Sequence, residues 1–271
     1  MNNLGYTKNL FILPFDHRGT FEKAGFSAKG ETGKDISSIK QIIYEAFKKS
    51  LDTVENGAIL VDEQYGDAIL KDAKEKGYTI LLTIEKSGEE DFVFEYSEDF
   101  RSHIQKYEPN FAKVLIKVEN GISDLTKNNL KKLSDFCHLE NIKLMVEIVS
   151  NGNLDLILKT ISELQNVKVE PDVWKIEGME NELDYSQIVE EARRNGRDKV
   201  SIVILGRGES KELVEKWIKT GSKTPGVIGF AIGRTVFWEP LMQFKDGKIT
   251  REEAVNKISE NYIYFYNLFN S

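Results

Sequence analysis

A lysine inside an apolar run is uncommon, and DVWKIEG (172–178) holds one, Lys175, between Trp174 and Ile176. Burying it costs desolvation energy unless it is paired or neutral. In a low-dielectric pocket, beside a second cation, the free amine is favoured and can attack a ketone to form a Schiff base. Lys117, near the end of AKVLIKV (112–118), is the candidate for that second cation. A buried ion pair of Lys175 with Glu147 or Glu177 accounts for the same residues equally well. Cleaving a carbon–carbon bond next to a ketone also moves protons at a hydroxyl and at carbon, which is work for carboxylates. Asp16 and Glu147 are the acid–base candidates, because two carboxylates near two lysines can divide those roles by environment. A cap, or a salt bridge to Arg18, explains Asp16 as well. Glu63 in VDEQYG and Glu85 in IEKSG end two more β-like runs and suit substrate positioning or structure more than catalysis.

Two Gly-Arg pairs form a second constellation. LGRGES (205–210) carries Gly206, Arg207 and Gly208, and AIGRT (231–235) carries Gly233 and Arg234. Glycines ahead of a helix let backbone N–H groups approach an anion, and arginine offers a bidentate partner to phosphate. An ordinary tight turn is the alternative for either pair taken alone. Metal binding is not expected, since His17, His103 and His138 lack short ligand spacing and Cys137 with His138 falls in a helical stretch. Neither a P-loop nor a G-x-G-x-x-G follows the first strand, so no nucleotide cofactor is implied. Phe92, Phe94 and Tyr96 alternate in a segment that reads as loop packing rather than base stacking.

The elements that must position these residues alternate along the chain. Strand-like runs at 10–15, 57–63, 78–85, 112–118, 142–149, 172–178, 199–206 and 226–233 are separated by amphipathic helical stretches. In 35–54, Ile36, Ile39, Ile43, Phe47, Leu51 and Val54 recur at helical steps behind Asp35, a plausible N-cap. A last helix near 250–269 starts with Thr250 and Glu253, a capping box. Eight βα units over this length predict a single (β/α)8 barrel spanning residues 1–271. A doubly wound sheet fits less well, because the strand ends carry charge on one parity. Asp16, Lys117, Glu147 and Lys175 share that parity, while Phe11, Leu13, Phe15, Val114, Ile116, Leu144, Val146, Ile148, Trp174 and Ile176 hold the other. The charged set then converges at the C-terminal mouth of the barrel, where active sites of this architecture sit. The stretch from Gly19 to Lys34, with Gly25, Gly30 and Gly33 inside it, reads as a mobile flap over that mouth, or else as a loop packed by Phe21 and Phe26.

Composition limits the partners. A net charge of -7 argues against a general nucleic-acid surface, so an anionic ligand must meet a local cluster of cations. Mean hydropathy is -0.39, and no apolar stretch approaches the ~20 residues of a membrane helix. The opening residues turn charged too soon for a signal peptide, and a single cysteine fits a reducing cytoplasm. Assembly into a homo-oligomer is compatible with the sequence without being read from it.

The segments FILPFDHRGTF, VDEQYG, IEKSG with FEY following, EPDVWKIEG, LGRGES and IGFAIGRTVFWEPL together resemble one family. It is the aldolase-like domain fused behind the sugar kinase in some bacterial inositol-catabolism proteins, the 5-dehydro-2-deoxygluconokinases. The resemblance runs from about Phe11 to Leu241 in matching order and spacing. More distantly the chain is similar to class I tagatose-1,6-bisphosphate and sulfofructose-phosphate aldolases, barrels with a Schiff-base lysine. The resemblance implies a class I aldolase, a cofactor-free carbon–carbon lyase. Lys175 would be its Schiff-base lysine, Glu147 an acid–base residue, and Asp16 and Lys117 their catalytic neighbours. An arginine stands at the position of Lys117 in the fused domains, which makes Lys117 a cation before it is a proton donor. The implied reaction is retro-aldol cleavage of 2-deoxy-5-keto-gluconate 6-phosphate to dihydroxyacetone phosphate and malonate semialdehyde. Asp16 or Glu147 would accept the C3 hydroxyl proton, Arg207 and Arg234 would hold the phosphate, and Arg18 or Lys117 would meet the carboxylate. The competing expectations are a class I aldolase for another ketose phosphate, of tagatose or fructose bisphosphate type, and a non-catalytic sugar-phosphate-binding barrel.

Overall fold

Short strands that are apolar on both faces cannot stand alone, so they must pair and be covered. In the computed structural model, which describes residues 4–26, 35–119 and 121–271, they pair as a closed parallel barrel in chain order. The strands are β1 (Leu10–Pro14), β2 (Gly57–Val61), β3 (Thr79–Thr83), β4 (Phe111–Lys117), β5 (Lys143–Val149), β6 (Val173–Glu177), β7 (Ser201–Leu205) and β8 (Val227–Ala231). The helices are α1 (Gly19–Lys23), α2 (Ile36–Ser50), α3 (Glu63–Glu75), α4 (Phe100–Tyr107), α5 (Asp124–Leu139), α6 (Leu154–Asn166), α7 (Glu182–Arg193), α8 (Lys211–Gly221), α9 (Arg234–Lys245) and α10 (Arg251–Phe269). This is the (β/α)8 barrel.

Local chemistry starts the helices where the sequence predicts. The Asp35 carboxylate accepts the Ser38 N–H at 3.0 Å ahead of α2. At α10, Glu253 N–H donates to Thr250 Oγ1 at 3.2 Å, and Thr250 N–H donates to Glu253 Oε2 at 2.7 Å, a complete capping box. The barrel closes where β8 meets β1, with Leu10 opposite Gly229 and Ile12 opposite Ala231. The β7–β8 register shifts between Ile202 and Val203 there, and a Cβ on Gly229 would run into the Leu10 carbonyl. A bulge with glycine lets the last strand approach the first.

Strand alternation sorts the side chains into two cores. Phe11, Leu13, Val114, Leu144, Val146, Trp174 and Ile176 pack outward with the helices. Leu10, Ile12, Leu81, Phe111, Met145, Val173 and Val203 fill the barrel, and Tyr6 packs against this inner group, its ring 5.1 Å from that of Phe111. One inward step further along four neighbouring strands, the residues become polar. Leu81 is followed by Thr83, Phe111 by Lys113, Met145 by Glu147, and Val173 by Lys175. The apolar layers are the floor of the site, and this rung is its first polar layer.

The segment after β1 departs from the flap expectation over its described part. Residues 19–23 form α1, and Phe21 is buried with its ring 5.9 Å from Phe237 and 5.7 Å from Trp238 of α9. Phe26 is buried beside it, and Lys245 donates to the Ala24 carbonyl. Two aromatic side chains outweigh the permissiveness of the glycines at this end. Residues 27–34 of the predicted flap lie outside the described residues.

Candidate active site

Lys113 and Lys175 are almost fully buried, at 2% and 4% exposure, so each ammonium must be paid for by carboxylates. Lys113 Nζ lies 3.0 Å from Asp16 Oδ2, 2.7 Å from Glu85 Oε1 and 3.0 Å from Glu147 Oε2. An ammonium carries three N–H donors, so Lys113 has one for each carboxylate. Lys175 Nζ donates at 2.8 Å to Glu147 Oε2, the same oxygen that Lys113 faces. Thr83 Oγ1 adds a hydrogen bond to Asp16 Oδ2 at 3.0 Å. Of the two partners foreseen for Lys175, the structure selects Glu147. Glu177 instead accepts the Ser150 and Gly152 N–H groups at 2.8 and 2.9 Å and pairs with Arg207 at 2.7 Å.

The electrostatics divide the carboxylates. Burial would raise Asp16, but Lys113, His17 and Lys175 hold it far below the usual carboxylate range. Glu147 is likewise lowered against its burial by Lys113 and Lys175. Glu85 moves the other way: burial pushes it up and Asp16 adds to that, while Lys113 only partly offsets it. The Lys113 ammonium is raised well above its ordinary value despite burial, because Asp16, Glu147 and Glu85 surround it. Lys113 is therefore a permanent cation. His17 is pushed down to about 4 by burial, partly opposed by Asp16, so its imidazole is neutral at physiological pH.

Two cavities open from this cluster at the C-terminal ends of the strands. One, of about 360 Å³, lies over Asp16, Thr83, Glu85 and Lys113; the other, of about 260 Å³, is lined by Arg207, Gly208, Gly233 and Arg234. Lys175, Glu147, Lys117 and His17 line both, so Lys175 stands at the waist of a two-lobed site. In the second lobe, Arg234 begins α9 and donates to the Arg207 carbonyl, tying the loops after β7 and β8 together. Arg207 takes a left-handed φ of 52° and Gly208 one of 78°, and a Cβ on Gly208 would strike the Arg234 guanidinium. Gly206 precedes this turn, and Gly233 is the N-cap of α9, packed on the Pro14 carbonyl. Arg207, whose guanidinium is held by Glu177 at 2.7 Å and Asn151 Oδ1 at 2.5 Å, and Arg234 stand beside the start of α9, a cationic wall whose chemistry suits an anion.

Two of the sequence candidates reach the mouth in other settings than expected, and a third does not reach it. Lys117 reaches the mouth but is exposed; the buried second cation is Lys113, four residues earlier on the same face. Arg18 lines the first lobe, yet it is held by Glu95 Oε2 at 2.5 Å and the Glu85 carbonyl at 2.6 Å, so it braces the loop after β3. Glu63 is not brought to the site. Strand β2 ends at Val61, Asp62 caps α3, and Glu63 in its first turn pairs with His103 at 2.6 Å and Lys106 at 2.9 Å. Phe92 and Phe94 pack the loop, their rings 4.9 Å apart. Among the described residues no group of three or more His, Cys, Asp or Glu side chains is placed to hold a metal ion, and no helix is long and apolar enough to cross a membrane.

A family model described as an uncharacterized protein conserved in bacteria, DUF2090, matches residues 3–271. No curated protein matches the chain. Among solved structures, Cgl0159 from Corynebacterium glutamicum is similar at a TM-score of 0.61 and 17% identity, covering 96% of this chain and 87% of that one. At that identity the likeness speaks for the fold.

Proposed function

The chain belongs to the DUF2090 family, and from that premise we propose that it is a class I aldolase acting on a ketose phosphate. The observation that carries the proposal is the buried Lys175 amine at the waist of two lobes, 2.8 Å from a carboxylate it shares with a permanently charged lysine. Carbonyl attack needs the free amine, and Glu147 is within reach to take its proton. Lys113 has carboxylates on all of its donors and cannot serve as nucleophile; Lys175 faces one.

The two lobes support an extended substrate whose ketone lies at the waist. Phosphate would occupy the lobe of Arg207 and Arg234, and the half that departs as an aldehyde would occupy the lobe of Asp16 and Glu85. Lys175 converts the ketone to an iminium. The bond between the second and third carbons from the nitrogen then breaks, its electron pair forming an enamine, and a carboxylate takes the hydroxyl proton of the departing half. The finer proposal is cleavage of 2-deoxy-5-keto-gluconate 6-phosphate between C3 and C4, giving dihydroxyacetone phosphate and malonate semialdehyde. Lys117, which has no ion pair among the described residues and lines both lobes, suits the carboxylate of that substrate better than the committed Arg18.

The test is product analysis with a panel of phosphorylated ketoses and keto-sugar acids, with dihydroxyacetone phosphate detected enzymatically. Its release with malonate semialdehyde from the keto-gluconate phosphate is expected. Cleavage of only bisphosphorylated ketoses would remove the finer proposal, and turnover of none would remove the aldolase.

A further inference from the structure

The reaction needs a group to take the hydroxyl proton, and three carboxylates surround Lys113. We propose that Glu85 is the acid–base residue for the departing half of the substrate, while Glu147 serves the nitrogen of Lys175. The proposal rests on the aldolase reading and refines it.

Geometry separates the three. Glu147 lines both lobes, and its Oε2 is engaged by Lys175 at 2.8 Å and Lys113 at 3.0 Å, so its protons are exchanged with nitrogen. Asp16 Oδ2 is engaged by Thr83 and Lys113, both at 3.0 Å, and its Oδ1 lies 4.0 Å from His17 Nδ1. Glu85 stands on the wall of the departing-half lobe and not of the phosphate lobe. Its Oε1 receives Lys113 at 2.7 Å, which holds the side chain, and its backbone carbonyl receives Arg18 at 2.6 Å, which holds the backbone. Its Oε2 is buried with no hydrogen-bond partner among the described residues. A carboxylate oxygen left without a donor is costly in a resting protein; Oε2 has no open surface, so a substrate hydroxyl satisfies it once the Glu85 side chain turns toward the lobe.

Proton affinity points the same way. The charged groups facing Glu85 are Asp16 beyond β1, Lys113 on β4 and Arg18. Burial and Asp16 raise Glu85, whereas Asp16 and Glu147 are both lowered. A proton acceptor works best when its affinity approaches the working pH, which favours Glu85 over Asp16, while Glu147 is already engaged by Lys175 and Lys113.

The step balances. With the substrate held as the Lys175 iminium, the Glu85 carboxylate accepts the hydroxyl proton. The O–H electron pair becomes the carbonyl π bond of the leaving aldehyde. The broken C–C pair becomes the enamine double bond, and the iminium π pair returns to nitrogen. In condensation, protonated Glu85 donates to the aldehyde oxygen as the C–C bond forms.

Two readouts separate the steps: borohydride trapping of Lys175 with a ketose phosphate substrate, and the rate of aldehyde release. Glu85→Gln keeps size and hydrogen bonding but cannot carry the proton. It should trap within about twofold of wild type while cleavage falls at least about a hundredfold. Cleavage at the wild-type rate overturns the proposal, as does parallel loss of trapping and cleavage, which would reduce Glu85 to a positioning residue for Lys113. If Glu85→Gln does not fold, Glu85→Asp decides: slowed cleavage with unchanged trapping supports the assignment, and unchanged cleavage refutes it. Absence of an adduct in the wild type would remove the aldolase reading, and this assignment with it.

Discussion

Lys113→Met tests whether one buried ammonium organises the site. The substitution keeps much of the stem volume and deletes the charge that faces Asp16 at 3.0 Å, Glu85 at 2.7 Å and Glu147 at 3.0 Å. Removing one partner of a buried ion pair costs about 3–5 kcal/mol, because the remaining charge stays desolvated. In a domain of this size that is a fall in Tm of roughly 6–20 °C. The loss must also depend on pH. Asp16 and Glu147 are lowered by Lys113, so they contribute stability above the ordinary carboxylate range that disappears as pH falls through their folded-state values. The wild-type advantage is therefore greatest at neutral pH and shrinks below about pH 4, where the variant's carboxylates are protonated and uncharged. Thermal melts of both proteins across that range measure it. A shift at neutral pH below about 2 °C, or one that is the same in acid, refutes the hub.

Other consequences are separable from this one. Arg207→Ala or Arg234→Ala should each raise KM for a phosphorylated substrate by about 10–150-fold, the equivalent of roughly 1.5–3 kcal/mol, with little change for its unphosphorylated analogue; equal losses on both would show that these arginines only brace their loops. The His17 imidazole should titrate near 4 by NMR, so that acidification from about 6.5 downward destabilises the protein as the unfolded chain takes up the proton first; a midpoint near 6.5 would show that the half-buried ring keeps its solvent. Thr250→Ala removes one half of the capping box and should cost about 1 kcal/mol in denaturant unfolding without touching the site; an unchanged midpoint would mean that packing alone holds the start of α10.

The barrel was legible because eight strand-like runs alternate with helical stretches, and strand parity and helix periodicity agree where both can be read. Phe11, Leu13, Val114, Val146 and Trp174 fall on the helix-facing side as their alternation requires. The same alternation brought Asp16, Glu147 and Lys175 to one end of the interior. Lys113 was within its reach, since it lies four residues before Lys117 and two beyond the inward Phe111, on the same parity. What hid it was depth. A lysine in the middle of a strand differs from one at its end only through partners on β1, β3 and β5, which are distant in sequence. The commitment of Arg18 to Glu95, 77 positions away, is invisible for the same reason. Glu63 was misplaced because β2 stops at Val61 and the Asp62 cap has already turned the chain into α3. Around Gly19 and Gly25, glycine content suggested freedom, but the packing of Phe21 on α9 governs the described part of that segment.

The central claim is that Lys175 forms the covalent intermediate. Borohydride reduction of the protein in the presence of dihydroxyacetone phosphate, followed by peptide mass mapping, tests it most directly. One reduced three-carbon phosphate adduct is expected, on the peptide containing Lys175, that vanishes in Lys175→Ala while Arg207→Ala weakens it. An adduct on Lys113 or Lys117, or none, contradicts it.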